Sequence, residues 1–152
     1  MNAATEFDLG PLTWVKGEID LALTRAVEAL VQHELNGDAT QLRFCRTHVH
    51  QVNGALSIVG LDGVTQVTES LEALLSALEE QRLQFTAEIS ITLTQAIAAI
   101  RKYLDDLVAG EPNQPLRLFL VYSVLATARG LSSCNPADLL FPDLSLRPPK
   151  RS

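Results

Sequence analysis

The sequence predicts an all-α protein, an up-and-down antiparallel four-helix bundle with a fifth apolar helix and short C-terminal additions. Three observations carry this. Apolar residues recur at alternating steps of three and four along successive segments, which is the period of one helix face. No stretch of any length alternates apolar and polar residues as a half-buried strand must. Three of the apolar stripes keep the helical period closely enough for antiparallel bundle packing, and Gly, Asn, Asp or Pro clusters follow the first, second and fourth segments.

Residues 1–12 offer little to pack and are expected to form a flexible N-terminus. Thr13 is a candidate N-cap for a first helix reaching Leu35, with Val15, Ile19, Ala22, Ala26 and Leu30 inward and Asn36-Gly37-Asp38 ending it. The second helix, roughly 39–60, carries a narrow stripe of Leu42, Cys45, Val49, Val52, Leu56 and Val59. After Gly60 and Gly63, with Asp62 available as a cap, a third helix runs to about Glu80 with Val64, Val67, Leu71, Leu74 and Leu78 inward. Thr86 can cap a fourth, whose stripe is Leu93, Ile97, Ile100, Leu104 and Leu107. The run from Gly110 to Pro115 is a firm break. Leu116 to Ala128 is apolar nearly all round, so a fifth helix is expected to be well buried or to lie across the others. Asn135-Pro136 opens a short helical turn, and residues 146–152 read as a linker or tail. The helical domain is thus 13–145, one domain in a chain of 152 residues.

Composition narrows the function. Net charge is −6 with no basic cluster, which argues against nucleic acid and against anionic membrane surfaces, because phosphate contacts need Lys and Arg in number. Cys45 and Cys134 stand apart with no metal-ligand or disulfide spacing, and Cys45 falls on the apolar stripe as a buried small residue. Neither metal nor cofactor is expected. A signal-peptide pattern is missing and no apolar run approaches the ~20 residues that span a bilayer, so the expected location is the cytoplasm. The chain has no Gly-x-Ser-x-Gly, Walker loop or kinase glycine motif, and by itself is expected to catalyse no ATP chemistry.

The informative residue is His50. At about 100° per residue it points roughly 130° from the centre of the second helix's apolar stripe, where no core histidine would be placed. Gly54, one turn on, is a mid-helix glycine that costs on the order of 1 kcal/mol relative to alanine. His48 lies about 70° from the stripe centre and reads as structural. His33 suits the C-terminus of the first helix. Glu79-Glu80 and Asp105-Asp106 read as solvated acidic pairs. An exposed imidazole beside a cleared patch of helix is suited to accepting and surrendering a phosphoryl group.

The segment His50-Gln-Val-Asn-Gly54-Ala55 with Val59-Gly60 resembles the signature of histidine-containing phosphotransfer (Hpt) domains. One position departs from it: Asn53 stands where that family usually carries Lys or Arg. The stretches Asp8–Lys16, Val59–Gly63 and Pro136–Leu144 are similar to the N-terminal region of ChpA/PilL-type chemotaxis-like hybrid histidine kinases, which act in type IV pilus and twitching-motility signalling. The resemblance implies a phosphorelay role. His50 would be the phosphoacceptor, supported by Gly54 and Asn53, with Arg46 or Arg43 able to supply the missing cation. The partners would be a histidine kinase catalytic domain and a response-regulator receiver domain, the receiver bringing its own aspartate and metal. Two readings stay open: a phosphocarrier acting through His50, or an Hpt-shaped interaction module that docks partners without transferring phosphate.

Overall fold

In the computed structural model, residues 9–130 are described. They form α1 (Leu9–Asn36), α2 (Ala39–Val59), α3 (Asp62–Glu79), α4 (Ala87–Val108), a 3-10 turn (Pro115–Leu118) and α5 (Phe119–Ala128). Among the described residues there is no strand. The turn expected at Asn135-Pro136, the tail from residue 146 and Cys134 lie outside them.

The first four helices form an antiparallel ring. Cross-helix pairs give the direction. Lys16 near the start of α1 meets Asp105 near the end of α4, while Glu34 near the end of α1 meets Ser90 near the start of α4. Likewise Arg46 in the first half of α2 meets Glu79 at the end of α3. Two-residue loops join α1 to α2 and α2 to α3, and loops that short leave antiparallel neighbours as the only outcome. Each loop is built by its own residues. Gly37 takes φ +69° and bonds back to the His33 carbonyl at 2.7 Å. The Asp38 carboxylate accepts from the Thr40 amide to cap α2. Gly60 at φ +82° closes α2, with Leu61 N–H reaching the Leu56 carbonyl at 3.2 Å.

The expected stripes are the core. Ile19, Ala22, Ala26 and Leu30 of α1 are buried. So are Leu42, Cys45, Val49, Val52 and Leu56 of α2. The same holds for all five inward residues named for α3 and all five for α4. Val15 and Val59 pack half-buried at the margins. Thr86 caps α4 as its sequence position implied, accepting from the Ile89 amide.

Four expectations need correction. First, α1 begins at Leu9, so residues 9–12 are already helical, Thr13 is not the cap, and Leu12 is core; Pro11 is tolerated because first-turn amides have no intrahelical acceptor. Second, Asp62 is the first residue of α3 rather than its cap, placing an acid at the positive helix end instead. Third, of the two placements expected for α5 the well-buried one does not hold: Leu125 and Ala126 are buried, but Leu120 is 74% exposed. The helix packs one face against α3 and α4, which leaves the opposite face in solvent. Fourth, the acidic pairs are not simply solvated. Glu79 joins Arg43 and Arg46, while Asp106 joins Lys102, one helical turn before it, and Arg117.

Candidate functional site

His50 projects from the middle of α2 with 70% of its side chain exposed. Gly54 and Ile58 follow it at steps of four on the same face, and Ile58 is 85% exposed. A Cβ built on Gly54 would meet no heavy atom within 4 Å, so nothing inside the fold demands glycine there. The result is a ring nitrogen, a bare turn of backbone and an unpartnered apolar side chain in a row.

The ring is held from α3. His50 Nδ1 lies 3.0 Å from Glu72 Oε2. A carboxylate accepts, so the ring donates from Nδ1, and in neutral imidazole the lone pair then sits on Nε2. Glu72 in turn is held by Asn53, whose Nδ2 donates to Glu72 Oε1 at 2.6 Å. Each carboxylate oxygen therefore has its own donor. Asn53 is only 7% exposed, because it stands four residues after Val49 and three before Leu56, at the α3 edge of the buried stripe. Its Nδ2 also reaches the Thr68 carbonyl at 3.4 Å, and the fully buried Thr68 hydroxyl faces its Oδ1. That hydroxyl has the Thr65 carbonyl at 2.9 Å as a second acceptor for its single proton.

The other basic candidates are tied elsewhere. Arg46 Nε lies 2.5 Å from Glu79 Oε1 and Arg43 Nε lies 3.0 Å from Glu79 Oε2. The hydrogen bond to Glu79 raises the Arg46 guanidinium above its ordinary range, and the same bond holds the Glu79 carboxyl below its own. Such pairs at the surface stabilise by about 0–1 kcal/mol. His48 is half-buried, with Nδ1 3.3 Å from Gln51 Oε1 in a groove between α1 and α2 of about 410 Å³. His33 is at the end of α1, but its Nδ1 faces the Asp38 carbonyl at 3.1 Å and its ring packs edge-on against Phe85 at 4.6 Å.

The structure thus brings together His50, Gly54 and Asn53, and sets Arg43 and Arg46 on a separate carboxylate. Glu72 is the residue that sequence reading missed. Its position one turn after Thr68 marks no face as special; only the register of α2 against α3 puts it under the ring. Among the described residues no group of three or more His, Cys, Asp or Glu could hold a metal ion. No helix among them is long and apolar enough to cross a membrane.

A family model described as Hpt domain matches residues 12–108. The matched span ends with the last residue of α4, so it takes in the four-helix ring and leaves out α5. No curated protein matches the chain, and neither does any solved structure.

Proposed function

The chain belongs to the Hpt domain family, and from that premise we propose that His50 is the residue that carries the phosphoryl group. Hpt domains serve histidine phosphotransfer in phosphorelays and interact with histidine kinases and receiver domains. The observation that carries the assignment is the pairing of an exposed ring with a carboxylate on its inner nitrogen, 3.0 Å away.

The chemistry balances with these groups alone. The Nε2 lone pair of neutral His50 attacks the phosphorus of an acyl phosphate on a receiver aspartate. The P–O bond breaks, the aspartate leaves as a carboxylate, and a P–N bond forms. The ring, still protonated on Nδ1, becomes a cation facing the Glu72 carboxylate. In the reverse step an incoming carboxylate attacks phosphorus and neutral imidazole leaves with the same Nδ1 proton. No proton has to be taken up or released in either direction. Ile58 and the bare turn at Gly54 suit a partner that lies flat across this face.

We further infer that the relay is one serving type IV pili and twitching motility. The similarity of Asp8–Lys16, Val59–Gly63 and Pro136–Leu144 to ChpA/PilL-type kinases supports this.

The test is labelling by a phosphorylated receiver. Wild type should take up acid-labile, base-stable phosphate. His50→Gln should take up none while losing less than about 0.5 kcal/mol of stability, as expected for an exposed helix position. His48→Gln should label as wild type does. Label that survives His50→Gln refutes the assignment. A wild type that binds the receiver yet takes up no label favours the docking module.

A further inference from the structure

We propose that Asn53 is a positioning residue: through Glu72 it keeps the His50 proton on Nδ1 and so reserves Nε2 for attack. The functional meaning of this inference rests on the reading of His50 as the phosphoacceptor; the geometry that motivates it does not.

A glutamate reaching an exposed imidazole has little reason to stay there. Water competes for both partners, and the long side chain loses rotamer freedom when it is held. Asn53 removes that freedom in advance. Its amide has one orientation, because Nδ2 faces two acceptors, Glu72 Oε1 at 2.6 Å and the Thr68 carbonyl at 3.4 Å. Turned over, the amide would set its own oxygen against both. With its single proton turned to Oδ1 rather than to the Thr65 carbonyl, the Thr68 hydroxyl holds the same orientation from the other side. Glu72 Oε1 is thereby fixed and Oε2 is presented to the ring.

The chemical type at position 53 matters as much as its placement. A lysine here could grip Glu72, but would neutralise it. An asparagine grips the carboxylate and leaves its charge whole. That charge favours the Nδ1–H tautomer before attack, and the cationic ring afterwards. Arg46, the nearby guanidinium of α2, is tied to Glu79 and does not take Glu72 from the ring.

The experiment is ring nitrogen NMR of His50 in the unphosphorylated domain, at alkaline pH where imidazole is neutral. Wild type should show a protonated Nδ1 and an unprotonated Nε2. Asn53→Ala should lower the ratio of the Nδ1–H to the Nε2–H form by about two- to ten-fold, the preference one hydrogen bond confers. Glu72→Ala should produce the same shift, and the double variant no more than either single one. Should Asn53→Ala fail to fold, Thr68→Val removes the hydroxyl that orients the amide and should shift the ratio in the same direction by a smaller factor. A wild-type ring protonated on Nε2, or a folded variant whose His50 tautomer is unchanged, overturns the inference. Receiver labelling is a separate readout. Tautomer shifts as expected in a domain that takes no label would sink the phosphocarrier reading and leave the positioning role intact. Labelling with an Asn53-independent tautomer would do the reverse.

Discussion

Replacing Gly54 separates what the helix wants from what a partner would require. The glycine sits in the interior of α2, and a Cβ there meets nothing within 4 Å. Gly54→Ala should therefore recover the full propensity difference, about 0.8–1 kcal/mol, with no packing cost. Gly54→Glu should recover somewhat less, about 0.5 kcal/mol, because glutamate is a slightly weaker helix former than alanine. For a domain of this size those gains correspond to a rise in Tm of about 2–5 °C, read from thermal melts followed by circular dichroism. The glutamate substitution should act oppositely on function. Gly54 lies one turn from His50 and one turn before Ile58, so a receiver seated over the ring covers it. A glutamate trapped beneath the receiver would bury an unpaired charge at a cost of roughly 3 kcal/mol. Transfer should then slow on the order of a hundred-fold. Single-turnover labelling by a phosphorylated receiver measures this. A Gly54→Glu variant that melts higher and still transfers at the wild-type rate refutes docking across this face. A Gly54→Ala variant that melts lower shows that the glycine serves something inside the fold.

Two further outcomes follow from the surroundings of His50 and Cys45. Asn53→Lys exchanges the amide on Glu72 for a cation that neutralises the carboxylate facing the ring, and so removes a pairing with the phosphorylated, cationic imidazole worth roughly 0.5–1 kcal/mol. The phosphorylated form should then decay about two- to five-fold faster in a label-decay assay, and an unchanged half-life would refute a role for the Glu72 charge in holding the cationic ring. Burial pushes the Cys45 thiol up to about 12 from an ordinary value of 9.0. In the native domain it should resist maleimide at about pH 8 and react once the domain is unfolded, since only the thiolate attacks. Because the folded state holds this proton more tightly, the linked stability is complete below pH 9.0 and declines as pH rises towards about 12. Prompt modification of native Cys45 would contradict its burial.

Much of the bundle was legible because helix formation and burial are local, periodic properties. The stripes of α3 and α4 are read from one chain segment each, and every residue named for them is buried. The outward direction of His50 follows from the same arithmetic, since about 100° per residue needs no knowledge of the neighbouring helix. Where sequence reading erred locally, the errors sit at helix ends. Leu9 to Leu12 join α1 because Leu12 finds a core to enter, and Asp62 yields the cap position because Leu61 is drawn inward.

By itself the sequence determined the helical period, the loop breaks, the exposed histidine and the unusual asparagine three residues after it. Only the tertiary structure decided what that asparagine touches. Asn53 could be recognised as a missing cation, but its burial against Thr68 and its hold on Glu72 depend on the register of α2 against α3. Register is a property of two surfaces packed together, and sliding α3 by one turn would put a different side chain beneath the ring. The same holds for Arg43 and Arg46. The sequence shows two cations on the turns before His50, and only the position of Glu79 at the end of α3 assigns them to a carboxylate away from it. A side chain's direction is set by its own helix, whereas its partner is set by the packing of another, and the chemistry of this site lives in the partners.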